Sequence, residues 1–136
     1  MALLVGGRFQ LVRNENFWQH LAALGIPEGR AKEVDATKPI LEVQINGREV
    51  TISTESDNSK VSSTLILDEE VDETLALNIL VQSTTTLSDN ELKIKSVGPS
   101  GETGVRLFNF TEDGMTMTLI AEDPSVPVAK RWYQKL

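Results

Sequence analysis

The residues near the end of the chain place a cation and a phenol close together. Arg131 and Tyr133 stand two positions apart, with Trp132 between them. Because successive side chains of a strand point to opposite faces, Arg131 and Tyr133 share one face and Trp132 takes the other. A guanidinium and a hydroxyl on one face can hold a carboxylate by charge-assisted hydrogen bonds. The spacing by itself favours a plainer alternative, a surface arginine beside a half-buried tyrosine.

A second arginine stands among large apolar residues. Arg106 shares a strand face with Phe108 and Phe110, which favours an inward orientation, and an inward guanidinium must find an anion. The periodicity fits the alternative equally well: Val105 and Leu107 would then face inward and Arg106 would lie in water.

The residue types present exclude several kinds of site. The 136 residues contain no cysteine and one histidine, His20, which rules out thiolate and two-histidine metal sites. No nucleophile elbow, phosphate loop or dinucleotide motif occurs. His20 is expected to pack at the surface or at a rim, and the acidic run over residues 68–73 lacks the spacing of a calcium loop and is interpreted as a solvated turn. We predict no catalytic residue, no metal and no cofactor.

The composition is that of a folded globular protein. Thirteen Lys and Arg against twenty Asp and Glu give a net charge of −7, and 40% of the residues are apolar, so we expect one domain over residues 1–136. The acidic balance argues against a nucleic-acid partner. Apolar stretches fall far short of the roughly 20 residues that cross a bilayer, and residues 1–8 lack the basic start of a secretory signal. We expect a cytoplasmic monomer with at most transient membrane contact.

Most of the chain after Lys38 has the alternation of short β-strands. Residues 41–45 alternate apolar and polar side chains, and Asn46-Gly47 follows as a strong hairpin signal. Together with a strand over residues 8–13, the turn spacing predicts about ten strands in an up-and-down antiparallel meander. So wide a sheet is expected to close into a barrel, because closure removes its edges.

Two short helices are predicted between the first and second strands. Asn14 is a candidate N-cap, and Gly25 can end the first helix in the left-handed conformation. An apolar stripe one face wide supports that helix; its members are Phe17, Leu21 and Leu24. Pro27 can open a second, polar helix over residues 27–36. The pair forms a helix-turn-helix over about residues 15–36. We interpret it as a lid or a packing element, and not as a DNA-binding motif, because it lacks a basic recognition face.

The predicted barrel has few bulky side chains for its width. Ten strands enclose more space than the eight whose own side chains fill a barrel, and aromatic residues make up only 5% of the chain. Residues 62–64 and 84–86 are serines and threonines, which place hydroxyl groups on the inward face. A roomy, half-polar interior indicates bound water and a ligand rather than a dry core.

Four segments, in order and at suitable separations, resemble the intracellular lipid-binding proteins, the family of fatty-acid and retinoid carriers. The segments are residues 7–17, 23–39, 67–74 and 131–135. The resemblance covers essentially the whole chain and implies a ten-stranded antiparallel barrel capped by two helices, with one carboxylate ligand in a water-containing cavity.

The resemblance also implies roles for individual residues. Arg131 and Tyr133 would bind the ligand carboxylate, with Arg106 as the second arginine. The implied cavity wall comprises Phe17, Leu21, Ile26, Pro39, Thr54, Ser56, Ala76, Leu77, Ile79 and Met117. Asn58 and Arg30 would lie at the portal. Because Leu77 and Ile79 stand where fatty-acid carriers usually have an Asp and an Arg, a more apolar cavity middle is expected.

We therefore expect non-enzymatic, cytosolic binding and transport of a hydrophobic carboxylate, a long-chain fatty acid in the first instance. A retinoid carrier of the same family is the first alternative, because Asn58, Leu77 and Ile79 depart from the fatty-acid pattern. A secreted lipocalin-type carrier, for which a glycan on Asn109 would be evidence, is the second alternative. A small hydrolase is a distant third.

Overall fold

The computed structural model describes residues 6–56, 59–75 and 79–136. Two short helices follow the first strand, and nine further strands follow the helices. The elements are β1 Gly7–Glu15, α1 Phe17–Ala23, α2 Glu28–Asp35, β2 Ile40–Asn46, β3 Glu49–Ser56, β4 Ser59–Ile66, β5 Glu70–Leu75, β6 Ile79–Ser88, β7 Glu91–Val97, β8 Thr103–Phe110, β9 Gly114–Ala121 and β10 Ala129–Lys135.

The strands form one antiparallel sheet in the order β4-β3-β2-β1-β10-β9-β8-β7-β6-β5. Strands that are neighbours in the sequence pair with each other, with the exception of β4 and β5. β1 pairs with β10 as well as with β2, which brings the first and last strands together. The predicted mostly β, up-and-down barrel with a helix-turn-helix cap is confirmed. The barrel is nearly closed: β4 and β5 remain the edges of the sheet, with an isolated parallel bridge from Leu67 to Thr85 beside the gap.

The start of the first helix differs from the prediction. Asn14 and Glu15 belong to β1, and the residue before α1 is Asn16, which adopts a left-handed conformation (φ 58°) and makes no side-chain capping bond. Asn14 instead pairs with β10, and its side-chain amide bonds to Arg131 and Asp35. Gly25, with φ 104°, follows α1 as predicted, since a side chain is disfavoured in that conformation.

The first hairpin turn lies one residue later than its sequence signal. Asn46 pairs with Glu49, so Gly47 and Arg48 form the turn between β2 and β3. Gly47 supplies the positive φ of 65° that this turn requires.

The inner face of the sheet carries a dense apolar cluster at one end of the barrel. Phe9, Phe108, Leu65, Leu92 and Ile94 are each at most 1% exposed, so this part of the interior is packed by side chains. Hydroxyl groups share the same interior, as the sequence predicted; those that are fully buried belong to Ser83 and Thr85.

The connection between β9 and β10, residues 122–128, contains Pro124 and Pro127, which have no backbone N–H to donate to a neighbouring strand. Within the described ranges, neither helix is long and apolar enough to cross a membrane.

Candidate functional site

β10 presents Arg131 and Tyr133 on the inner face of the barrel. Arg131 is 9% exposed and Tyr133 is 5% exposed. Trp132 points outward, where the guanidinium of Arg13 lies 3.8 Å from the centre of its ring. The alternation of the strand therefore buries the two candidate ligand-binding side chains together, and the plainer alternative of a surface arginine is wrong.

Arg131 is a buried cation whose direct contacts are with neutral side chains. Its Nε donates to Asn14 Oδ1 over 2.9 Å, and its guanidinium lies 3.9 Å from the ring centre of Phe17 and 5.7 Å from that of Tyr133. Among the described residues, Arg131 forms no salt bridge. Within the described part of the chain, no hydrogen bond reaches the two terminal nitrogens of Arg131 or the hydroxyl of Tyr133.

Burial changes the acid–base behaviour of both groups. Burial lowers the pKa of Arg131 from its ordinary value, and this is opposed by the nearby Tyr133 and Asp35. Burial raises the pKa of Tyr133, and the positive charge of Arg131 opposes that rise. Desolvation thus disfavours the charged form of each side chain. An anion placed between Arg131 and Tyr133 would gain two donors and would neutralise a buried positive charge.

Arg106 lies on the inner face of β8, as the neighbouring Phe108 and Phe110 suggested. Its Nη2 donates to Glu73 Oε1 over 2.5 Å and its Nη1 donates to Glu73 Oε2 over 3.2 Å. The Arg106 side chain is 20% exposed and that of Glu73 only 3%. The anion that an inward Arg106 was expected to need is therefore supplied by the protein itself.

Two serines extend this ion pair across the sheet. Ser83 on β6 donates to Glu73 Oε1 over 2.6 Å, and its hydroxyl lies 2.8 Å from that of Ser96 on β7. Ser96 also accepts a longer bond of 3.4 Å from Arg106. Four neighbouring strands, β5 to β8, each contribute one polar side chain to this interior network.

Glu73 corrects the interpretation of the acidic run as a solvated turn. Asp68 and Glu69 are exposed, but residues from Glu70 onward form β5, and Glu73 is buried. The signal that could have found it is the alternation of β5: Val71 packs against the core, so Glu73, two residues later, points to the same side. In a run of acidic residues, the residue types do not show which positions of the strand point inward and which point outward.

The other predicted site residues differ in how deeply they are buried. Those that are buried are Phe17, Pro39 and Met117. Those that are half-buried are Leu21, Ile26 and Ser56, and those that are exposed are Thr54 and Arg30. Arg30 pairs with Glu33 on α2. Asn58, Ala76, Leu77 and the side chain of Ile79 lie outside the described residues.

His20 does not lie at the surface but packs against a neighbouring connection. Its side chain is buried, and Nδ1 lies 2.8 Å from the carbonyl oxygen of Pro127. This contact joins α1 to the connection between β9 and β10. In the part of the chain that the structure describes, no group of three acidic or histidine side chains could hold a metal ion.

No family model matches the sequence, but individual proteins do. Fatty acid-binding protein 9 from Homo sapiens is 34% identical over 63% of this chain and 65% of its own length. Fatty acid-binding protein homolog 5 from Caenorhabditis elegans is 31% identical over 63% of each chain. The chain thus spans slightly less than two thirds of the length of these relatives.

Solved structures match nearly the whole fold. A Schistosoma mansoni fatty acid-binding protein in complex with arachidonic acid superposes with a TM-score of 0.85 and 26% identity, covering 96% of this chain and 94% of its own.

Proposed function

We propose that this chain is a member of the intracellular lipid-binding protein family, which its similarity to fatty acid-binding proteins supports, and that it binds a long-chain fatty acid or a similar hydrophobic carboxylic acid inside its barrel. The observation that carries the proposal is Arg131, a buried guanidinium with neutral protein partners beside the free hydroxyl of Tyr133. We propose further that the protein acts in the cytosol as a monomeric carrier and releases its ligand chemically unchanged.

The head group and the tail would contribute differently. A carboxylate held by Arg131 and Tyr133 gains about 1.5–3 kcal/mol for each charge-assisted hydrogen bond. The tail gains about 25 cal/mol for each Å² of apolar surface removed from water. The tail therefore supplies most of the affinity, and the head group fixes orientation and selects acids over neutral lipids.

Arg106 would have a smaller role in the site. Glu73 already neutralises it at close range, so a ligand carboxylate gains less from Arg106 than from Arg131. We propose that the pair serves as a polar brace of the interior and that Arg131 is the principal head-group residue.

The test is mass spectrometry of the organic extract of the purified protein, followed by loading of the delipidated protein with oleic acid. We expect long-chain fatty acids in the extract and stoichiometric binding of oleic acid. A retinoid in the extract, with retinoic acid displacing oleic acid, would instead favour the retinoid carrier. Failure to bind either acid would contradict the proposal.

A further inference from the structure

Asn14 connects the candidate head-group arginine to the lid. Its Oδ1 accepts the bond from Arg131 Nε over 2.9 Å. Its Nδ2 donates to Asp35 Oδ1 over 2.7 Å and approaches the Asp35 carbonyl oxygen at 3.3 Å. Asp35 is the last residue of α2. One amide therefore spans β10, β1 and the end of a lid helix.

A β-bulge places Asn14 where it can do this. The pairing of β1 with β10 shifts register between Leu11 and Arg13, so that Leu11 faces Tyr133 while Asn14 faces Arg131. With unbroken alternation from the buried Leu11, Arg13 would point inward and Asn14 outward. The bulge reverses this order, which is a common use of bulges beside binding sites. Lys38 donates to the carbonyl oxygen of the bulged residue, Val12, over 2.7 Å.

The contact has two consequences for Arg131. The bond to Nε fixes the plane of the guanidinium and leaves both terminal nitrogens for a ligand. It also places the carboxylate of Asp35 one amide away, so that the buried positive charge is partly compensated from the lid; this proximity opposes the lowering of the Arg131 pKa by burial. A ligand carboxylate on the terminal nitrogens would hold the guanidinium in this orientation and would thereby keep the Asn14 amide in position to donate to Asp35.

We propose that Asn14 is a positioning residue that couples Arg131 to helix α2, so that a bound carboxylate and an ordered lid stabilise each other. This inference rests on the proposed function, since it requires the head group to lie at Arg131. Coupling of this kind is reciprocal: whatever the carboxylate adds to the stability of α2, the ordered helix adds to the affinity for the carboxylate.

The experiment compares amide hydrogen exchange across α2, Glu28–Asp35, in protein saturated with oleic acid or with oleyl alcohol. The two ligands share a tail and differ in head-group charge. In wild type, we expect the acid to slow exchange in α2 by about five-fold or more relative to the alcohol. In Asn14→Leu, which keeps the approximate size but removes the polar atoms, the two ligands should give the same exchange.

Two further variants make the result specific. Asp35→Ala removes the carboxylate from the connection and leaves the Asn14–Arg131 bond in place. Only the longer contact of Asn14 with the carbonyl oxygen of residue 35 remains, so the difference between acid and alcohol should fall sharply. Asp35→Ala serves as the test of the coupling if Asn14→Leu does not fold. Gln10→Leu is the matched control: Gln10 is another β1 amide that bonds to the α2–β2 connection, at the Lys38 carbonyl over 2.8 Å, and it should leave the difference unchanged.

Calorimetry on the same samples separates the two proposals. If wild type binds oleic acid more tightly than oleyl alcohol but α2 exchanges equally with both, the coupling is wrong and the proposed function survives. A difference that persists in Asn14→Leu, or one that is undiminished in Asp35→Ala, also overturns the coupling. If acid and alcohol bind wild type equally, the carboxylate site itself is wrong and the coupling falls with it.

Discussion

At the residue scale, Tyr133 offers a direct spectroscopic view of the site because it is the only tyrosine in the chain. Burial raises its pKa above the ordinary value of 10.0, and Arg131 opposes the rise. We expect an ultraviolet titration of tyrosinate in the ligand-free folded protein to have its midpoint above that value. In Arg131→Gln the midpoint should move higher still, because the compensating charge is gone. A lower midpoint in the variant would contradict the proximity of the two groups.

The same shift makes stability fall at alkaline pH. Below the ordinary pKa of tyrosine, the folded and unfolded states both hold the proton and the contribution is fully present. As the pH rises from that value through the higher pKa of the folded state, the unfolded chain loses its proton first, so the free energy of unfolding decreases. Urea unfolding over this range should show the decrease, and Tyr133→Phe should remove that part of it.

Glu73 and Arg106 make a second residue-scale prediction. Glu73→Gln leaves Arg106 without its counter-charge in a largely buried position. We expect a loss of about 2–3 kcal/mol in the free energy of unfolding, because removing one partner of a buried pair costs more than the pair contributes. The control is Asp72→Asn, a change of the exposed neighbour that bonds to Gln82. Equal, small effects of both variants in urea unfolding would show that Glu73 is not a structural partner.

At the element scale, the lid helix α2 neutralises its own charges. Lys32 pairs with Glu28 over 2.8 Å, and Arg30 pairs with Glu33 over 3.4 Å. Because anionic membranes attract basic clusters, we expect ligand transfer to anionic vesicles to proceed mainly through free solution, at a rate independent of vesicle concentration. Stopped-flow transfer measures this, and Glu28→Lys with Glu33→Lys should introduce a dependence. A steep dependence in wild type would contradict the prediction.

Elements were predictable to different degrees, for physical reasons. The ten strands follow from alternation and turn residues, both of which are local properties. The beginning of α1 was not predictable in the same way: Asn14 is a suitable N-cap by residue type, but pairing of β1 with β10 extends the strand as far as Glu15. No glycine or proline in the sequence marks the bulge that turns Asn14 inward. The bulge also depends on pairing with a strand whose Arg131 lies 117 residues away.

At the scale of the whole molecule, the sheet brings together residues that are far apart in the sequence. Arg131 and Tyr133 could be assigned to one face from spacing, but the face that is buried is decided by the closing of β10 onto β1. The partner of Arg106 could not be inferred from the sequence around it, because Glu73 lies three strands away within an acidic run. Long-range pairing therefore determines the electrostatics of the site.

The most direct test of the central claim is calorimetric titration of oleic acid and oleyl alcohol against wild type and Arg131→Gln. The control is Arg13→Gln, which removes a guanidinium that stacks on the outward-facing Trp132. We expect Arg131→Gln to weaken the acid by about tenfold or more and to leave the alcohol almost unchanged, with Arg106→Gln weakening the acid less and Arg13→Gln affecting neither. Equal weakening of the acid and the alcohol by Arg131→Gln would contradict the account, because the arginine would then support the fold and bind no carboxylate.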